Sequence, residues 1–308
     1  MAGAPTTTPT AVPPKPKKNI AEVLVAGGTA GMVARTVIAP IERAKILYQI
    51  QRGVGQEAGW TGILPKILRE EGALAMWKGN SAAVMRVVPY MSIQFLGFEE
   101  YRTLLGRFAL QPDLHNMAAG SLAGLTAVAL TYPLDTVRAR MAAQMAGVAD
   151  ARYSGMLDCL VRLPRERGVA SLYKGMSTTM IGVAPYAGLK FASYEAMKRS
   201  LAPLMGVDSE ADLPASARVT CGMVAGGVAQ TFVYPFDVIR RRFQTSDKPP
   251  YKGTWDALTT IAREEGVARG LFRGLSLNYL KTIPNVAVYM SLYDIIKHRL
   301  VPKVGNEQ

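Results

Sequence analysis

Three copies of one phrase run through the chain: a proline, an acid two residues on, and a base three further. They are Pro40-Ile41-Glu42-Arg43-Ala44-Lys45, Pro133-Leu134-Asp135-Thr136-Val137-Arg138 and Pro235-Phe236-Asp237-Val238-Ile239-Arg240, spaced 93 and 102 residues apart. Spacing of that regularity marks a threefold internal repeat. It places three acids and three bases at one level of the fold, where opposite charges can meet and separate. A second triple phrase closes each repeat: Phe98-Glu99-x-x-Arg102, Tyr194-Glu195-x-x-Lys198 and Tyr293-Asp294-x-x-Lys297. Acid and base three apart share a helix face.

Little else in the chain suggests chemistry. Cys159 and Cys221 have no metal spacing and form no disulfide framework. His115 and His298 are isolated, and no Ser/His/Asp or glycine-rich phosphate-loop pattern occurs. The sequence therefore argues against an enzyme, with no catalytic residues, metal or cofactor expected. Net charge is +13 over 308 residues, which suits nucleic acid, an anionic membrane surface or an anionic solute. No aromatic RNA-binding motif or zinc spacing accompanies it, which argues against nucleic acid. Residues 1–19 are rich in Thr, Pro and Ala with Lys15, Lys17 and Lys18, and read as a disordered basic tail.

Each repeat opens on an apolar segment with a small-residue stripe: Gly27 and Gly31, Gly120 and Gly124, Gly222 and Gly226. Glycines four apart let helix backbones approach closely in a bilayer. Between Asp113 and Asp135 lie 21 residues without Asp, Glu, Lys or Arg, and between Arg218 and Asp237 lie 18, close to the ~20 that cross a membrane. Other segments are interrupted by Arg35, Arg86, Lys190 and Lys281. Bases at membrane depth face water-filled cavities. The expected fold is an all-α membrane protein, with six transmembrane helices in three pseudo-symmetric two-helix repeats (20–110, 111–206 and 207–302). The motif proline is expected to end or kink each odd helix. A short amphipathic helix then leads to Trp77-Lys78-Gly79, Tyr173-Lys174-Gly175 or Phe272-Arg273-Gly274, where the even helix starts.

Nine motif elements in this order resemble the mitochondrial carrier family across residues 20–300. The resemblance implies a monomer in the inner mitochondrial membrane, contacts with cardiolipin, and a single central site with alternating access. It implies a matrix gate pairing Glu42 with Arg138, Asp135 with Arg240 and Asp237 with Lys45, braced by Gln49 and Gln244; Ala142 replaces the third glutamine. It implies a cytoplasmic gate pairing Glu99 with Lys198, Glu195 with Lys297 and Asp294 with Arg102. Treated as exposed pairs, these contribute ~0–1 kcal/mol each.

A threefold scaffold recognises an asymmetric solute only where the copies differ. Pro89, Pro185 and Pro284 fix the even-helix register; thirteen residues before each closing acid stand Arg86, Gly182 and Lys281, and five before stand Gln94, Lys190 and Tyr289. Five before the motif prolines stand Arg35, Val128 and Gln230. Bases at Arg35, Arg86, Lys190 and Lys281 suit a polyanion, and Gly182 leaves room for a flat group on which Tyr186 stacks. By resemblance, Gly182-Val183 matches the pair found in adenine-nucleotide carriers. Arg35, Arg86 and Lys281 likewise match basic contacts of ADP/ATP carriers. Phe243-Gln244-Thr245 departs from the three methionines of those carriers, and the even-helix sequences look most like the coenzyme A / Graves-disease-type branch. The implied function is an antiporter of coenzyme A or an adenine nucleotide; an ATP-Mg/phosphate-type carrier and a carrier-fold proton leak are the alternatives.

Overall fold

A computed structural model describes the backbone of residues 20–50, 59–108, 111–145, 153–207, 209–246 and 251–300. The expected basic tail lies outside the described residues. Three long helices carry the motif prolines: α1 (Ile20–Ile50), α5 (Pro112–Ala143) and α8 (Ala215–Thr245). Each is followed by a short helix, α2 (Trp60–Glu71), α6 (Met156–Arg167) or α9 (Thr254–Glu264). The even helices follow: α3 (Asn80–Met85) with α4 (Val87–Leu105), α7 (Met176–Leu204) and α10 (Leu275–Leu300). The described residues are helical with no strand.

Each even helix packs most extensively on the next repeat's odd helix. α4 lies on α5, α7 on α8, and α10 returns to α1, which closes the ring within one chain. The seam is made by small residues one position before the glycines. Ala26, Ala30 and Ala34, Ala119, Ala123 and Ala127, and Cys221, Ala225 and Ala229 are all 0–2% exposed. Their four-residue spacing keeps them on one face. This corrects the reading of the glycine stripe. The glycines lie one position round the helix and turn partly inward, where Gly31 and Gly124 line internal cavities.

Among the described residues one helix, Leu114–Ala143, is both long and apolar enough to cross a membrane by composition alone. The expected second apolar span, 219–236, does not reach that level. Several other segments carry charged side chains within the span, and three of these, Arg35, Arg86 and Lys281, line a cavity.

The motif prolines do not end their helices: α1, α5 and α8 each run ten residues further. A proline lacks the N–H that would bond the carbonyl four residues back. For Pro40 that carbonyl is on Thr36, and it accepts from Trp77 Nε1 at 2.8 Å. The residues beyond each proline thus stay helical and present acid, base and brace along one rod.

The short helices bury an i, i+4 pair each: Ile63 and Ile67, Cys159 and Leu163, Ala257 and Ile261, all at 5% exposure or less. Turns led by Gly79, Gly175 and Gly274 start the even helices with φ of +80 to +85°. Only glycine holds that backbone without cost. A Cβ at Gly79 would also lie 2.8 Å from the Arg138 carbonyl oxygen.

Charged side chains pin the short helices to the long ones. Arg43 is 1% exposed. It donates to both Glu71 carboxylate oxygens at 2.9 and 3.0 Å, and to the carbonyls of Ala75 (2.6 Å), Ala142 (3.2 Å) and Gln144 (2.7 Å). Arg242 does the same for repeat three, with Glu265 at 2.5 and 2.7 Å. Repeat one has Leu47 where repeat three has Arg242. Arg43 stands one helical turn before it and takes its place.

Candidate functional site

The gate motifs come together at the end of the ring that carries the short helices. Arg138 pairs with Glu42 and Arg240 with Asp135, both in tight contact. Lys45 stands 3.9 Å from Asp237 and closer to Asn278, at 2.7 Å. All three pairings implied by the resemblance are therefore present, and the third is the loosest. Both glutamine braces are engaged: Gln244 donates to Asp135 at 2.9 Å and Gln49 to the Tyr234 hydroxyl at 3.0 Å.

Two of these pairs are not the exposed contacts expected. Glu42 and Asp135 side chains are 12% and 2% exposed, Arg138 and Arg240 10% and 13%. Burial removes the screening that makes surface pairs weak. Removing one partner from a buried pair costs about 3–5 kcal/mol, because the other charge is stranded.

Two of the bases predicted to meet substrate also belong to this ring. Lys281 reaches Glu42 at 2.6 Å. Arg86 reaches Asp135 at 3.0 Å and the Thr131 hydroxyl at 3.0 Å. The threefold equivalent of Arg86 and Lys281 is Gly182, so Asp237 receives no base from that position. Its partner there is Gln230, which donates an amide N–H to Asp237 Oδ2 at 3.0 Å.

At the opposite end two of the three expected pairs are absent among the described residues. Glu99 and Asp294 are exposed, and among the described residues neither Glu99–Lys198 nor Asp294–Arg102 forms an ion pair. Lys198 is instead held by Glu195 on its own helix at 2.9 Å and by Glu210 at 3.3 Å. The side chain of Lys297 lies outside the described residues, and with it the pairing to Glu195.

Among the described residues, two cavities hold predicted substrate residues. One, of 590 Å³, sits among α1, α3, α4 and α10 and is lined by Arg35, Arg86, Lys281 and Glu42. The other, of 260 Å³, sits among α5, α7 and α8 and is lined by Gly182, Val183, Tyr186, Phe236, Gln230 and Asp237. Tyr90 borders both, and the Arg86 guanidinium lies over its ring at 5.1 Å. The structure thus gathers six of the seven expected substrate residues into two adjacent spaces, one basic and one largely apolar. Lys190 is exposed and lines neither; it stands eight residues beyond Gly182 on α7, about 12 Å further along the helix.

Sequence reasoning missed Asn278, Arg43 and Glu71 as parts of this machinery, and noted Gln230 without assigning it a role. Arg43 could have been found as the extra base in the repeat that lacks one at Leu47. Asn278 leaves no comparable trace, because its partner Lys45 is 233 positions away.

The sequence profile described as mitochondrial carrier protein matches residues 16–109, 111–203 and 211–304. The chain belongs to the mitochondrial carrier family. It is a multi-pass transporter of the mitochondrial inner membrane, not an enzyme. Mitochondrial carrier protein CoAc2 of Zea mays is 40% identical over 291 residues, covering 89% of this chain and 85% of that protein. Mitochondrial coenzyme A transporter SLC25A42 of Danio rerio is 37% identical, covering 91% of this chain and 88% of its own. Solute carrier family 25 member 16 of Homo sapiens is 38% identical, covering 89% and 86%. Among the described residues no cluster of His, Cys, Asp or Glu could hold a metal.

Proposed function

We propose that this carrier exchanges coenzyme A, or an adenine nucleotide of the same kind, across the inner membrane by alternating access. One observation carries the reading: a basic cavity and a ring-sized apolar cavity adjoin at Tyr90. Phosphates suit the first, where Arg35 and Arg86 supply planar donor forks and Lys281 a mobile charge. A planar base suits the second, between Gly182-Val183 and Tyr186. Relatives named as coenzyme A transporters support the same substrate.

The ion pairs support a state closed toward the matrix and open toward the cytoplasm. Phosphates entering the basic cavity compete with Glu42 for Lys281 and with Asp135 for Arg86. Binding thereby withdraws an even-helix base from two of the three gate acids, which gives substrate the differential affinity that a conformational change needs. Closure of the ring by α10 on α1 supports a monomer. Cardiolipin headgroups would bind at the glycine-led starts of the even helices.

Exchange is measured in cardiolipin-containing liposomes preloaded with unlabelled substrate, using labelled coenzyme A, adenosine 3′,5′-bisphosphate, ADP and ATP. Counter-exchange of coenzyme A or the bisphosphate is expected. Uptake of a dicarboxylate or amino acid in place of every nucleotide would overturn the reading, as would proton conductance without any counter-substrate.

A further inference from the structure

The smaller cavity has a chemically one-sided edge. Gln230 and Asp237 lie seven residues apart on α8, two helical turns, so both side chains reach the same wall. Gln230 donates Nε2–H to Asp237 Oδ2 at 3.0 Å. An ionised carboxylate only accepts, so this bond fixes which way the amide points. The nitrogen faces Asp237 and the carbonyl oxygen Oε1 is left for the cavity. Among the described residues no donor reaches Gln230 Oε1 or the second carboxylate oxygen, Asp237 Oδ1.

Asp237 is the least buried of the three motif acids, at 36% side-chain exposure against 12% for Glu42 and 2% for Asp135. The two threonine hydroxyls of the lining are already committed: Thr178 bonds with Thr254 at 2.8 Å and Thr179 donates to the Gly175 carbonyl at 3.0 Å. Gln230 Oε1 and Asp237 Oδ1 therefore present two open acceptors, in a lining that also holds Arg240, Tyr90 and Tyr186. The remaining walls, with Val183, Tyr186 and Phe236, suit a flat ring.

A ligand group facing two acceptors must carry two hydrogens. A cation is disfavoured, since Arg240 lines the same cavity and Lys45 stands 3.9 Å from Asp237. A neutral exocyclic amine meets both conditions. We infer that Gln230, oriented by Asp237, is a specificity residue that reads the amino group of a 6-aminopurine and rejects rings bearing a carbonyl there. The inference rests on the proposed nucleotide-type substrate and assigns the element that would select its base. An oxopurine would set a third acceptor against the two, leaving buried polar groups unpaired. Discrimination of one base edge by a bidentate contact of this kind amounts to roughly tenfold or more.

The test compares initial exchange of adenosine 3′,5′-bisphosphate and inosine 3′,5′-bisphosphate in proteoliposomes, for the natural protein, Gln230→Leu and Gln230→Met. The natural protein is expected to favour adenosine about tenfold or more, and both variants to bring the ratio within about threefold. The ratio is internal to each preparation, so a variant that folds poorly lowers both rates and leaves the comparison intact. An unchanged ratio in both variants would overturn the role of Gln230 while leaving nucleotide transport standing. Equal rates for the two substrates in the natural protein would also overturn it. Transport of neither substrate, with uptake of some other solute class, would overturn the proposed function and this inference together.

Discussion

Replacing Asp135 by asparagine probes the buried ring most directly. The Asp135 side chain is 2% exposed. It faces three guanidiniums, from Arg240 in tight contact, Arg86 at 3.0 Å and Arg241 at 3.3 Å, and accepts from Gln244 at 2.9 Å. Asparagine keeps the shape and one acceptor but leaves three positive charges without their shared counter-ion. Stranding a buried partner costs about 3–5 kcal/mol. Arg86 borders the water-accessible cavity, at 17% side-chain exposure, so the lower end of that range applies. For a chain of this size ~1 kcal/mol corresponds to about 2–4 °C, so Tm should fall by roughly 6–12 °C. A thiol-reactive dye is a suitable probe, because Cys159 and Cys221 are both 0% exposed and become reactive on unfolding. Glu99→Gln, the same chemical change at the open end, serves as control and should move Tm by no more than about 2 °C. A drop below about 2 °C for Asp135→Asn would refute the claim that this end is held by buried charge.

Two further outcomes follow from groups outside the membrane-spanning segments. Burial alone would raise the Glu71 carboxyl, but hydrogen bonds from Lys78 and Arg43 outweigh it and hold the group below the ordinary 4.5. A depressed carboxyl contributes stability that is complete above pH 4.5 and is lost as pH falls through the folded value. The Tm difference between the natural protein and Glu71→Gln should therefore be constant from pH 8 to 5 and shrink only in more acidic buffer, as read from melts across a pH series. Burial pushes the Cys159 thiol up to about 11, so almost no thiolate is present at pH 7.5. Intact-mass measurement after N-ethylmaleimide treatment should show that cysteine unmodified until the protein is unfolded.

How much was legible in advance depended on whether a feature repeats. The odd helices, the three ring pairs and the even-helix register recur at fixed spacing, and spacing survives in sequence. Two features did not. The packing seam is read in sequence as glycine, yet buried Ala30, Ala123 and Ala225 line it, because alanine is small enough for close approach, while Gly31 and Gly124 border the cavities. Exposure was misjudged for the gate pairs, since a motif states which charges exist but not how much water reaches them. Lys190 shows the same limit from the other side: its charge and register suggested the cavity, and its eight-residue offset from Gly182 takes it beyond both spaces.

The broken symmetry now has a physical meaning. Each motif acid has one place for a base from the even helix of the preceding repeat: Lys281 fills it for Glu42, Arg86 fills it for Asp135, and Gly182 leaves it empty for Asp237. A solute carrying phosphates at one end and a flat amine at the other would draw on all three differently. It would withdraw two bases from two acids and supply donors to the third. Under the proposed function, recognition and release of this end would be one event, because the groups proposed to bind the anion are those that contact Glu42 and Asp135. A symmetric ring of three bases would bind phosphate as well but could not orient a base. A ring with none could not sense that substrate had arrived.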